Sequence, residues 1–324
     1  MKTTHRLLLL VVVLVAVVVA VVSVLTQPML GSERRGPAVT ADAERLKAIV
    51  TKLSVDLAPR DYTHPANLDA AAAFIRAELE APGRKTTTQE WQVDGVTYRN
   101  VSALFGPETE ERIVVGAHYD ACQPFPAADD NGSGVAALLE LARLLEANPP
   151  KAQVELVAWS LEEPPFFRKQ VMGSYVHAKS LSDAKVAVRA AVSLETMGYF
   201  TDAEDSQHFP VPGLSALYST RGNYLAVVGN LGQMGLTRTM KSAMRAAAPL
   251  PIFSINAPAS IPGIDFSDHL NYWRFGFPAV MVTDTAMNRN ANYHTANDTA
   301  GTLDYPRLAQ ATAGVFEAIH RLSE

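Results

Sequence analysis

The sequence predicts an α/β protein: a three-layer α/β/α sandwich around a mixed, mainly parallel sheet, preceded by one N-terminal transmembrane helix. Three observations carry this expectation. β-rich runs alternate with helix-period segments through the body of the chain. An uninterrupted apolar run lies near the N-terminus. His and carboxylate residues gather just past the ends of the β-rich runs, where chemistry collects in open α/β sheets.

Taking the elements in order, residues 7–25 read LLLLVVVLVAVVVAVVSVL, with no charge and Ser23 as the one polar member. At 1.5 Å per residue this run spans about 29 Å, close to the hydrocarbon thickness of a bilayer. Lys2 and Arg6, in a short tail of residues 1–6, mark the flank expected to stay in the cytoplasm. The length favours an uncleaved signal-anchor. The competing reading is a cleaved signal peptide, whose apolar core is usually shorter and ends in a small-x-small site that is poor here. Either reading carries the rest of the chain out of the cytoplasm, to the periplasm or the exterior, as a membrane-anchored protein or, after cleavage, a secreted one. Residues 26–40, with two prolines and two glycines, read as a linker. Residues 41–324 then form one domain.

Within that domain Leu46, Ile49, Val50 and Leu53 have helical spacing, as do Leu68, Ala72, Ile75 and Leu79. Runs rich in β-formers follow at 97–105, 112–117, 154–159 and 186–194, with a helix-like stretch, GVAALLELARLLE, at 134–146. Further strands are expected at 224–228 and 278–283, and a closing helix at 305–322.

Composition narrows the function classes. The 324 residues are 48% hydrophobic, enough for a sizeable core, and the net charge of −5 comes with no basic stripe, which argues against a nucleic-acid partner. One cysteine, Cys122, excludes an internal disulfide and any Cys-based zinc knuckle. It is expected as a small packing residue. A metal site must therefore come from His, Asp and Glu.

Five segments supply such residues. RIVVGA runs into His118-Tyr119-Asp120; Asp129-Asp130-Asn131-Gly132 precedes the strong helix; VELVAW leads to Glu162-Glu163; VRAAVSL ends in Glu195; and His294 sits in a polar loop. Taken singly each is weak. His-x-Asp places two residues on one strand face, Asp-Asp-Asn-Gly suits a turn or helix cap, and adjacent glutamates are usually solvated. Together they supply a two-metal hydrolase site. Two zinc ions about 3.5–4 Å apart repel each other and need a shared carboxylate. Each takes imidazole and carboxylate ligands near 2.0–2.2 Å and keeps a position for water. Two His and three carboxylates fill that count, and one carboxylate remains as general base on the water.

The stretches GAHYD, AADDNGSGVAALLELAR, LEEPPF, SLETMGYF, the SDH at 267–269 and TDTAMNRNANYHTANDTAGTLDY resemble the co-catalytic zinc exopeptidases typified by bacterial leucyl aminopeptidases, a fold shared with glutamate carboxypeptidase and glutaminyl cyclase. The resemblance covers essentially residues 41–324. It implies two zinc ions per chain, with His118, Asp130 and Glu195 on one and Asp130, Glu163 and His294 on the other. Asp130 would bridge, Glu162 would act as general base, and Asp120 would hydrogen-bond His118. It also implies a cis peptide between Asp130 and Asn131. Many family members carry Asp where this chain has Glu195; the longer side chain keeps the ligand chemistry.

The expected activity is peptide-bond hydrolysis by metal-activated water, as an aminopeptidase acting on peptide substrates, with the membrane reached through the N-terminal helix. The alternatives are a glutaminyl cyclase-like single-zinc acyltransferase and an inactive, peptidase-like binding ectodomain. Side-chain preference, the metal loaded in the cell and oligomeric state are not encoded legibly. Ser267-Asp268 reads first as a helix cap, and Asp268 and His269 as substrate-binding residues second. His64, His177, His208 and His320 read as surface or packing residues. Phe166, Phe167, Tyr199 and Phe200 read as core or as a hydrophobic specificity pocket.

Overall fold

The computed structural model describes residues 2–29, 36, 39–81 and 84–324. Met1 of the tail and the middle of the expected linker, 30–35, 37 and 38, lie outside them. The apolar run is helix α1 (Lys2–Thr26). Among the described residues it is the one helix long and apolar enough to cross a membrane, and none of its apolar window is covered by the rest of the protein. Its end, by contrast, is built into the domain. Gln27 takes a left-handed conformation (φ 46°) and donates its backbone N–H to the Ser23 carbonyl at 3.0 Å. The last carbonyls of a helix have no partner within it. Here the buried ammonium of Lys241 donates to those of Thr26 and Gln27 at 2.7 and 3.1 Å, and Ser254 Oγ donates to Thr26 at 2.9 Å.

The domain opens with α2 (Ala43–Thr51), capped by the Asp42 carboxylate, and α3 (Pro65–Leu79), then the hairpin β1 (Thr86–Val93) and β2 (Val96–Phe105). β3 (Glu111–His118), α4 (Gly134–Ala147), β4 (Gln153–Trp159), α5 (Gly173–Asp183) and β5 (Ala187–Glu195) follow in alternation. The second half holds β6 (Leu225–Gly229), α6 (Met234–Ala247), β7 (Ile252–Asn256), α7 (His269–Arg274), β8 (Ala279–Thr283) and α8 (Tyr305–Ser323). The strands form one eight-stranded sheet, ordered β1-β2-β4-β3-β5-β8-β6-β7. Its middle four, β4, β3, β5 and β8, are parallel; β2 joins β4, and β6 joins β8, antiparallel.

These central strands are apolar almost without interruption because helices cover both faces. Alternate side chains go to opposite layers. Ile113, Val115 and Ala117 of β3 join the main core with Leu138 of α4 and Val315 of α8, whereas Val114 packs with Leu181 of α5 and Tyr272 of α7. The three-layer mixed sandwich thus agrees with the sequence reading.

β3 matters most for position. From β3 the chain crosses through α4 to β4 on one side, and from β4 through α5 to β5 on the other, so a crevice opens beyond the C-terminal end of β3, where ligands bind in open α/β sheets. His118 is its last residue.

β1, β7, α5 and α6 are not among the elements expected from the sequence, while α7 begins where the helix cap at Ser267-Asp268 is expected. β1 is a sheet-edge strand of half-buried and exposed residues, and β7 has five residues near Pro251 and Pro258. Helix α6 packs through Met240, Ala243, Met244 and Ala247, which share one well-defined apolar face that is not singled out in the sequence.

Candidate metal centre

The segments singled out in the sequence converge beyond β3, β4 and β5. His118 is fully buried, and its Nδ1 lies 3.1 Å from the backbone carbonyl of Asp120. That bond requires the proton on Nδ1 and turns the Nε2 lone pair toward the crevice. Nε2 lies 3.3 Å from both Asp130 Oδ1 and Glu195 Oε2. The other oxygen of Asp130 lies 2.9 Å from His294 Nε2, which is 3.2 Å from Glu163 Oε2. Asp130 thus presents one oxygen to each imidazole. His118, Asp130 and Glu195 form one compact cluster of donor atoms, and Glu163 and His294 belong to a second that also includes Cys122.

The arrangement fits metal. His118 Nε2, His294 Nε2, Asp130 Oδ2 and Glu163 Oε1 are buried and make no hydrogen bond despite their proximity. Ligands 2.0–2.2 Å from a tetrahedral ion stand about 3.3–3.6 Å apart, close to the spacing here. The charges agree. Burial raises Glu162 well above the ordinary carboxylate range and Glu163 to about 8. Asp130, which burial alone would raise, is pulled far down by the two imidazoles, and the surrounding carboxylates raise both imidazoles against burial. Positive charge is what this cluster lacks, whether as protons or as divalent ions.

The local backbone explains the placement. The Asp130–Asn131 peptide is cis, as the resemblance implied. Ala127, Leu161, Thr196 and His294 all take positive φ beside the donor residues, a conformation that side chains other than glycine adopt sparingly and mostly where function requires it. Asn131 links two donor loops: its Nδ2 donates to the Leu194 carbonyl, and its Oδ1 accepts from Gly134 and Thr196 N–H. Gly134 has to be glycine, because a Cβ there would meet the Leu194 carbonyl at 2.7 Å and the Asn131 side chain.

The match to the family model for peptidase family M28 covers residues 100–319, which hold every donor named above. The chain belongs to the M28 zinc exopeptidases. It is an enzyme of that class, a zinc-dependent exopeptidase. It is 43% identical over 288 residues to the uncharacterized protein YfbL of Escherichia coli K12, across 86% of this chain and 88% of that one. Leucine aminopeptidase 1 of Ajellomyces dermatitidis is 27% identical over 225 residues, 65% of this chain; the match spans 52%, about half, of that enzyme. A leucine aminopeptidase precursor from Bacteroides thetaiotaomicron has the same fold, with a TM-score of 0.67 at 19% identity over 87% of this chain and 98% of that one.

Within this M28 domain some expected roles change. Asp120 bonds the His118 ring through its backbone carbonyl and not through its carboxylate, which comes no nearer than 3.6 Å and instead accepts the N–H groups of Glu162 and Glu163 at 3.1 and 3.0 Å. Asp120 therefore fixes the Glu-Glu turn, and its carbonyl orients His118. His269 faces away from the crevice, with Nε2 2.8 Å from the Ile264 carbonyl and its ring edge-on to Trp273. Asp268 is buried close enough to feel Glu162, Glu195 and His118, and burial raises it to about 7. It precedes α7 without a side-chain cap. Phe166 and Phe200 join the main core instead of a pocket. Cys122, expected to pack, stands at the second cluster.

Other residues escape a reading of the sequence. Asp298 accepts the backbone N–H of Asp129 and Asp130 at 2.9 and 3.1 Å, holding the shared carboxylate's backbone. Ser267 Oγ donates to Glu195 Oε2 at 2.7 Å. Arg60, wholly buried, donates to the carbonyls of Leu53, Tyr119, Pro126 and Ala127, and burial lowers it to about 10. Asn-Asp in a polar loop was the available signal for Asp298; nothing local marks Arg60.

A cavity of about 870 Å³, mouth included, adjoins the centre at Glu195 and Tyr293. Phe209, Tyr218, Phe253, Ile255, Phe266 and Met281 line it.

Proposed function

We propose that the chain is a membrane-anchored aminopeptidase, working outside the cytoplasm, that removes apolar residues from peptide N-termini. The observation that carries this reading is a pair of donor clusters joined through Asp130, with Glu162 alongside, opening onto an apolar cavity lined by no lysine or arginine. A carboxypeptidase needs a cation for the substrate's terminal carboxylate. Among the described residues, Arg60 spends its donors on backbone carbonyls, and buried Arg289 donates to Gln207 and to the carbonyls of Tyr199 and Tyr224. An excess of carboxylates suits an α-ammonium instead.

His118, Asp130 and Glu195 would hold one zinc, and Asp130, Glu163 and His294 the other. When bound, such a pair lowers the pKa of water and polarises the scissile carbonyl. Glu162, buried and 3.9 Å from His118 Nε2 through its Oε2, is the base that takes the proton from water and returns it to the leaving amine. Its backbone N–H, tied to Asp120, fixes where that carboxylate stands. The cavity beside Glu195 receives the first side chain and excludes water from it. The complete donor set and base argue against an inactive binding ectodomain.

Membrane attachment is supported by the docked end of α1: the retained helix is the acceptor for a buried lysine.

The test uses the full chain in detergent, assayed for zinc and for cleavage of leucyl and other aminoacyl chromogenic amides. Chelator-sensitive cleavage of free but not N-acetylated amides, with about two zinc per chain, is expected. Glu162→Gln should lower kcat about 10²–10⁴-fold while zinc content holds. Unchanged turnover in that variant would remove Glu162 from its role. One zinc per chain with ring closure of N-terminal glutamine, and no hydrolysis, would establish cyclase chemistry instead.

A further inference from the structure

The metal positions expected from the sequence are near mirror images, each with one imidazole, one carboxylate of its own and half of Asp130. The structure makes them unequal. The sulfur of Cys122, the only cysteine in the chain, lies with donor atoms of Glu163 and His294 in a group whose members are all within 4.8 Å of one another. No sulfur accompanies His118, Asp130 and Glu195.

Cys122 is held there by its surroundings. The N–H of Phe125 donates to the Cys122 carbonyl at 2.9 Å, and the preceding Ala121 N–H donates to the carbonyl of buried Arg60 at 2.9 Å. Independently of the thiol, the donors grouped with it lack partners. Glu163 is 4% exposed, its Oε1 has no hydrogen-bond partner, and His294 Nε2 has none either.

We propose that Cys122 supplies a thiolate ligand to the metal held by Glu163 and His294, so that the chain offers one sulfur-containing position and one built from nitrogen and oxygen alone. The inference rests on the two-metal reading above. As the metal binds, the S–H bond breaks heterolytically: the pair of electrons stays on sulfur and forms the metal–sulfur bond, and the proton leaves to solvent. No oxidant is needed. Thiolate favours zinc and softer ions over magnesium or manganese. The Cys122 position should therefore be the selective and tightly held one, leaving exchange to the His118 position.

Cobalt(II) separates the possibilities. The full chain in detergent, stripped of metal, is titrated with Co²⁺ while its near-ultraviolet and visible absorption is followed. Two equivalents should bind, and one of them should bring a near-ultraviolet sulfur-to-cobalt charge-transfer band while blocking the thiol toward a disulfide reagent. In Cys122→Ser the band should vanish and one equivalent should bind about tenfold more weakly or worse, with the visible bands of both ions retained. Cys122→Ala should behave alike, which guards against a local effect of the serine. Two bound cobalt ions without the band would overturn the thiolate and leave the two-metal reading standing. No bound cobalt would overturn both.

Discussion

His269 shows how a residue beside the crevice serves the fold. Burial lowers its pKa to about 4, so the folded state holds it neutral, with Nε2–H donating to the Ile264 carbonyl behind the cavity wall. An unfolded histidine titrates near 6.5. Between about pH 6.5 and 4 the unfolded chain therefore binds the extra proton, and stability falls as pH falls through that window. By linkage His269 accounts for a loss of about 2 kcal/mol between pH 7 and 5. His269→Gln keeps a donor and cannot take the proton, so denaturant unfolding of the full chain in detergent should show less acid loss in the variant. Equal losses would mean that the imidazole is not held neutral. The gathering of His118, Asp130, Glu162, Glu163, Glu195 and His294 at one place was legible, because zinc chemistry demands those residue types just past strand ends. The residues that hold them were not. Asp298, Ser267 and Arg60 act through long-range bonds to backbone or carboxylate; the first two lie in the quoted stretches without their partners being readable there, and nothing local marks Arg60.

At the scale of elements, the junction between β5, the Asp130 loop and α4 is the tightest point near the centre. A methyl at Gly134 has no room, whereas a methyl at Gly235, in the first turn of α6, would have nothing within 4 Å, and φ there is compatible with a side chain. Gly134→Ala should lower thermal stability by about 1–3 kcal/mol or more and weaken zinc binding, because Asn131 must move. Gly235→Ala should be neutral or gain up to about 1 kcal/mol through the unfolded state. A pair of equal melting temperatures would sink the packing argument. The same contrast explains which elements could be read. β3, β4, β5 and α4 are buried on nearly all sides and carry dense apolar runs. Beyond β6, β7 has only five residues between prolines and α7 only six, too short for a period to stand out.

For the whole molecule, the join between α1 and the domain decides whether the apolar helix is a removable leader. Cleavage just before Gln27 would take away the Thr26 carbonyl and leave the Lys241 ammonium buried with half its acceptors. Burial already lowers that lysine to about 8, so further loss of partners is costly. The chain extracted from membranes should keep the mass of the uncleaved sequence and resist removal by alkaline carbonate. A mass beginning beyond the apolar run would make the segment a signal peptide. The topology has a further consequence, in time. The donors enter the chain in the order His118, Asp130, Glu163, Glu195 and, long afterwards, His294, which follows the last strand of the sheet. A nascent chain can thus have all the strands of its sheet and still lack the last of the five donors. The donor set is completed only near the end of synthesis, and a chain interrupted before His294 lacks part of it.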